Sequence, residues 1–207
     1  MSKTLHISAT ITIVCLLVMR VVPYYEGLAF DKFWSIPMGV LPVGLIAFFT
    51  FIVSAISCLI AVVKKQKSLN HLIVMGLLPI LVVAIYKFPF PSYIDGMHKT
   101  VQDALPLDEI VKLSIEAREI NPKWTNYEEH DKLIEKLRTK YPNALNLSHT
   151  PPRIGVSDNH VSVFYGSALV KHWGYLFTES DSFPIEHIPE GMYKQVYKGV
   201  WVYHDIW

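Results

Sequence analysis

Residues Ile36 to Val63 form a run of 28 residues without one Asp, Glu, Lys or Arg. An α-helix rises about 1.5 Å per residue, so about 20 apolar residues cross the hydrocarbon core of a bilayer. The run predicts a membrane span over about residues 38–63, even with an irregular start between Pro37 and Pro42. Two further apolar runs flank it. One goes from Leu5 to Val22, and the other from Leu72 to about Phe88, broken by Gly76 and Pro79 and ending in Lys87. Backbone polar groups in lipid must be satisfied within the segment, so such runs are read as helices.

The fold class expected is therefore an all-α membrane region followed by a small α+β extracytoplasmic domain. Spans at about 5–22, 38–63 and 72–88 make up residues 1–94, and the soluble domain occupies 95–207. Lys3 gives the first run a weak signal-like start. It lacks a small-x-small cleavage site, and Arg20 interrupts the place where one would lie, so it is read as an uncleaved span.

Charge divides at the same place. Residues 1–94 carry seven Lys/Arg and two Asp/Glu, whereas residues 95–207 carry twelve and sixteen. Neither part has the dense basic surface that nucleic acid requires. Lys64, Lys65 and Lys67 lie between the second and third runs with no acid among them, while Glu26 and Asp31 accompany Lys32 in the preceding loop. Positive loops stay in the cytoplasm. The N-terminus is then inside and residues 95–207 outside, which suggests a bacterial inner membrane with a periplasmic domain. Tyr24, Tyr25, Phe33, Trp34, Tyr86, Phe88, Phe90 and Tyr93 would gather at the outer interface, where amphipathic rings sit comfortably.

In the second run, Ala47, Thr50, Ser54, Ser57 and Ala61 recur at three- and four-residue spacing. Small side chains on one face let helix backbones approach, and hydroxyls can bond across the contact. A packing seam is expected there, with a polar pore lining as the alternative.

Beyond Phe88-Pro89-Phe90-Pro91, periodicity predicts a helix from about Leu107 to Ile120, with Ile110, Leu113, Ala117 and Ile120 inward. A second helix should start at Thr125, whose spacing to Glu128 fits a capping box, and run to about Tyr141. Its inward face would be Leu133, Ile134, Leu137 and Tyr141. About four antiparallel strands follow. Residues 160–165 and 172–178 are two, and 195–203 form a hairpin turning at Lys198-Gly199 after a turn at Pro189-Glu190-Gly191.

Catalytic signatures are missing from this region. Both cysteines, Cys15 and Cys58, lie in the apolar runs, and no Gly-x-Ser-x-Gly elbow or glycine-rich phosphate loop occurs. Seven histidines are scattered through residues 95–207 without metal-ligand spacing. No catalytic residue, metal site or cofactor is predicted. The densest local feature is aromatic: Tyr193, Tyr197, Trp201, Tyr203 and Trp207 fall within fifteen residues, extended by Trp173, Tyr175 and Phe177, and some of these rings are expected in the core. Trp173, Tyr175, Tyr197, Trp201, Tyr203 and Trp207 are the candidate partner patch, because Tyr and Trp commonly anchor protein interfaces.

The expected function is an extracytoplasmic protein-binding module of a polytopic membrane protein, of immunity or envelope-accessory type. Its partners would be the bilayer and a protein at the outer face. One alternative is an envelope enzyme of hydrolase type acting through Asp158, His160 or His172. The other is a subunit of an oligomeric channel or transporter, with a homo-oligomer left open.

Overall fold

The computed structural model describes residues 2–30, 35–64, 69–120, 127–166 and 171–206. The chain divides into two compact units, Met1–Pro23 with Trp34–Pro91, and Tyr24–Phe33 with Ser92–Trp207. Three long helices open the chain: α1 (Ser2–Leu28), α2 (Ser35–Val63) and α3 (Leu69–Lys87). Among the described residues, Leu5–Leu28 and Pro42–Ala61 are long and apolar enough to cross a membrane, while Gly76–Lys87 is a shorter apolar stretch.

Within the first unit the small-residue seam of α2 is a packing surface. The Ser54 hydroxyl lies 2.7 Å from that of Ser8 in α1, and the Thr50 hydroxyl 2.8 Å from that of Thr12. Each hydroxyl except that of Ser8 also donates to the carbonyl of a residue four positions earlier in its own helix. Thus no polar group is stranded in the contact. Ala47, Ala61 and Cys58 are buried on the same face. Arg20 donates to the Phe88 carbonyl at 3.2 Å, and its guanidinium stands over the Phe90 ring at 5.6 Å. The charge that closes the first apolar run thus ties α1 to the exit of α3.

Helix α1 continues past Pro23, six residues beyond the expected end of the span, and the two units divide at Pro23–Tyr24. A proline inside a helix removes one ladder hydrogen bond, which makes this a natural seam. The last turn of α1 crosses α4 (Tyr93–Ala104) with glycine on both sides. A Cβ on Gly27 would overlap the Tyr93 carbonyl, and one on Gly96 the Tyr24 carbonyl. Thr100 adds a 2.7 Å bond to the Leu28 carbonyl. Phe30 then turns into the second unit with φ +46 and no exposed surface. Its ring meets Tyr165 edge-on at 5.6 Å, and Trp173 Nε1 donates to its carbonyl at 3.2 Å. Residues 24–30, expected to open an outer loop, therefore belong to the second unit, with Phe30 in its core.

Helix α4 was not anticipated between the proline pairs and Leu107. Its signal was present, since Ser92 and Asp95 form a reciprocal capping box at its start. Tyr93, assigned from sequence to the membrane interface, is 4% exposed with its ring edge-on to His204. Among the described residues of that expected band, Tyr25, Tyr86 and Phe88 are exposed, while Phe33 and Trp34 lie outside the described residues.

Helix α5 (Leu107–Ile120) buries Ile110, Leu113, Ser114 and Ala117, whereas Ile120, expected inward, is 40% exposed at the frayed last turn. Helix α6 (Tyr127–Lys140) buries Ile134 and Leu137 and, unexpectedly, His130, while Leu133 is only half-buried. The proposed cap at Thr125 lies outside the described residues. Pro142 starts the short α7 (Pro142–Leu145). Its buried carbonyl end is satisfied by the core, since Tyr175 and Tyr165 both donate to the Ala144 carbonyl, at 2.9 and 3.4 Å.

The sheet has five strands rather than four: β1 (Arg153–Val156), β2 (His160–Tyr165), β3 (Lys171–Thr178), β4 (Tyr193–Tyr197) and β5 (Val200–Ile206). All pairings are antiparallel, in the order β1-β2-β3-β5-β4. The β4–β5 hairpin turns at Lys198-Gly199, where Gly199 has φ +74, and Gly191 has φ +90 in the preceding turn. Strand β1 escaped sequence reading because its four residues show no clean alternation. Both sheet edges are met by a histidine. His130 of α6 lies 3.5 Å from the Ile154 carbonyl of β1, and His98 of α4 bonds the Gln195 backbone of β4. Covering an edge in this way discourages a further strand from adding.

Candidate functional site: an aromatic shelf on the open sheet face

Period-two alternation sorts the sheet's side chains onto two faces. Val161, Val163, Tyr165, Trp173, Tyr175, Val200 and Val202 face the helices and are buried. The opposite face carries Phe164, Gly174, Tyr203 and Tyr193 in one cross-strand row, and Ser162, Leu176, Trp201 and Gln195 in the next.

A strap of residues 179–192 lies over part of this second face. Ile188 is buried against Leu176 and Tyr203, and half-buried Phe183, Ile185 and Met192 pack around them. Phe183 stacks on Tyr193 at 4.0 Å and 3° between planes, and Trp201 meets both rings edge-on, at 5.7 and 5.8 Å. The strap is held at its ends. Thr178 Oγ1 accepts from the Ser180 amide at 3.1 Å, and the His204 amide donates to the Met192 carbonyl at 2.9 Å. His187 Nε2 adds a contact to the Asp205 carboxylate at 3.5 Å, with Asp205 only 12% exposed. Trp201 Nε1 is shielded from solvent and has no acceptor among the described residues. A shallow pocket of about 410 Å³ is lined by Asp181, Gln195, Val196, Tyr197 and Lys198 at the β4–β5 turn.

The six sequence-derived patch residues therefore separate. Trp173, Tyr175 and Tyr203 are 2%, 1% and 5% exposed and belong to the core. Tyr197 is half-buried on the helix side, where its hydroxyl donates to the carbonyls of Gln102 and Leu105, at 3.0 and 3.4 Å. Only Trp201 stands in the shelf, and Trp207 lies outside the described residues. The residues that complete the shelf, Phe183, Ile185 and Met192, come from a segment with no periodic signal. Tyr193, a member of the aromatic cluster in the sequence, joins them from β4, two residues before Gln195 on the same face.

Asp158, His160 and His172 do not converge. His160 pairs with Thr178 at one end of β3, and His172 lies six residues away at the other end, about 20 Å along the strand. Among the described residues no group of three or more His, Cys, Asp or Glu is arranged to hold a metal. His172 instead stands opposite Asp205 and edge-on to Phe164 at 5.1 Å.

No protein-family model, no curated protein and no solved structure matches this chain. The chemistry of the shelf must be read from its own residues.

Three imidazoles of this unit are held below their ordinary pKa. Burial does this for His98, helped by the Lys194 ammonium and opposed by its bond to the Gln195 backbone. Burial also acts on His160, with Arg118 adding to it, and on His172, where Asp205 opposes it. The native state therefore binds fewer protons than the unfolded chain just below pH ~6.5, so stability falls as pH drops through that value. Asp95 behaves in the opposite sense. Burial disfavours its charge, but Lys194 at 2.6 Å and the Ser92 contacts hold the carboxyl down to about 2. Its contribution is present above pH ~3.9 and is lost only as pH falls towards 2. Thermal unfolding in mild detergent should thus show a lower midpoint at pH 5.5 than at pH 7.5. His98→Gln should shrink that difference; an unchanged pH slope would remove His98 from the account.

Proposed function

We propose that this chain is a three-span protein of a cell membrane, of bacterial inner-membrane type. In this reading it displays its second unit outside the cytoplasm and binds another protein there through the aromatic shelf. One observation supports each half. The first unit leaves many large apolar side chains uncovered: Phe49 is 60%, Leu59 63% and Ile80 63% exposed. In water such a surface would be a severe liability, whereas lipid is its matching solvent. The shelf supports the second half. Its stacked, half-exposed rings resemble the desolvated aromatic anchors on which protein interfaces depend. An immunity-type or envelope accessory protein, intercepting a partner at the membrane surface, is the concrete form of this reading.

The test uses cysteine substitutions in a chain whose Cys15 and Cys58 are replaced by serine. Gln195→Cys and Ser182→Cys report on the shelf, and Lys132→Cys on the charged face of α6. A membrane-impermeant maleimide applied to intact cells should label all three. A benzophenone maleimide, after illumination, should give protein adducts from the two shelf positions and not from Lys132→Cys. Labelling only after cell lysis would reverse the sidedness, and adducts spread evenly over the three sites would remove the shelf as the binding surface.

A further inference from the structure

The strap that completes the shelf is acidic throughout. Glu179, Asp181, Glu186 and Glu190 lie within residues 179–192, which contain no Lys or Arg, and all four are exposed. Two cations of β4 and its turn are engaged locally, Lys198 with Asp181 at 3.7 Å and Lys194 with Asp95 at 2.6 Å. Asp205 brings a further carboxylate to the inner margin of the strap beside His187. Four exposed carboxylates therefore sit on the segment that brings Phe183 onto Tyr193 and Trp201.

Resting on the binding reading above, we infer that the shelf's partner presents a cationic, arginine-containing polypeptide segment with interleaved apolar side chains. Two features of the surface call for this combination. A guanidinium is weakly hydrated and stacks on aromatic faces, with Trp the strongest partner, so it suits the exposed rings better than an ammonium does. The carboxylates of the strap supply the complementary field that steers such a segment and rejects an acidic one. Apolar side chains of the segment would cover Ile185 and Met192. The histidine-capped sheet edges make strand addition the less suitable docking mode, so the contact is to the sheet's open face.

The full-length protein in zwitterionic nanodiscs, whose lipid adds no net charge, is titrated with a fluorescent peptide alternating arginine and leucine. Its twin alternates glutamate and leucine. The arginine peptide should bind at least tenfold more tightly, and the preference should weaken as salt is raised. Combining Glu179→Gln, Glu186→Gln and Glu190→Gln should cost about tenfold in affinity, the sum expected of three exposed charge contacts, and leave thermal unfolding unchanged. The matching triple change on α6, Glu128→Gln, Asp131→Asn and Glu135→Gln, should leave affinity as it was.

Equal binding of the two peptides would overturn the inference, as would equal losses from the two triple variants. If the shelf cysteines still cross-link to protein in that case, the shelf stands and only the charge assignment falls. Adducts spread evenly over shelf and helix would overturn the binding reading and this inference with it.

Discussion

Replacing Gly96 with valine is expected to unfold the second unit while leaving the helices of the first intact. A Cβ at this position would stand 2.7 Å from the Leu28 amide nitrogen and 2.8 Å from the Gly27 carbonyl carbon, and closer still to the Tyr24 carbonyl oxygen. All three are backbone atoms, so no side chain can swing aside. Helices carrying ordinary side chains pack 8–10 Å apart, and only glycine on both partners allows this closer approach. Overpacking that must displace backbone costs about 3 kcal/mol or more, a large share of a stability typically ~5–15 kcal/mol. Near-UV circular dichroism and protease resistance of the second unit should both be lost. Gly76→Ala is the matched control: nothing lies within 4 Å of its added Cβ, so it should be neutral or slightly stabilising. If the Gly96 variant melts with the wild type, the crossing is not as close as described.

Phe30→Ala should be the second severe change, lowering stability by about 3–5 kcal/mol, the range for emptying a phenylalanine site in a core. The ring is fully buried against Tyr165, and its backbone holds φ +46, a left-handed conformation costing about 1–2 kcal/mol in a residue with a side chain. That strain persists because burial of the ring and the Trp173 bond to the Phe30 carbonyl outweigh it. Alanine keeps the strain and loses the burial. Denaturant titration of the full-length protein in detergent, followed by tryptophan emission, would measure the change, with the buried Trp173 as a local reporter. A loss below ~1 kcal/mol would show that Phe30 is not seated in the core. Both variants probe one structural fact: the end of α1 is an integral piece of the unit that follows α3, so that unit's core is closed by a segment about sixty residues upstream in sequence.

Several elements were legible because their signals are local. The apolar runs of α1 and α2 follow from length alone. The helix at Leu107–Ile120 follows from its 3.6-residue spacing, and the 198–199 hairpin from a glycine able to take φ +74. The seam of α2 was visible as small residues at helical spacing, and Ser8 and Thr12 prove to be its partners. Helix α4 was missed although Ser92 and Asp95 announced it, because Gly96 lowers helix propensity and two proline pairs precede it. Gly96 is there for the crossing, a requirement no local rule contains.

The aromatic patch shows where local reading stops. In the structure Trp173 and Tyr175 share one face of β3, and Trp201 and Tyr203 share one face of β5, whereas the sequence left open whether Tyr203 and Trp201 lie together. Alternation could not say which face is inward, because a period of two is identical on both sides of a sheet. That choice was made by α4, α5 and α7 covering one side, and by the strap bringing Phe183 and Ile188 to the other. Within the second side, Tyr203 sank into the core under Ile188 while Trp201 stayed half-exposed. The length of an apolar run and the position of a tight turn are properties of neighbouring residues, so the chain alone determines them. Which rings are core and which are surface depends on contacts between segments far apart in sequence, and only the tertiary structure decides it.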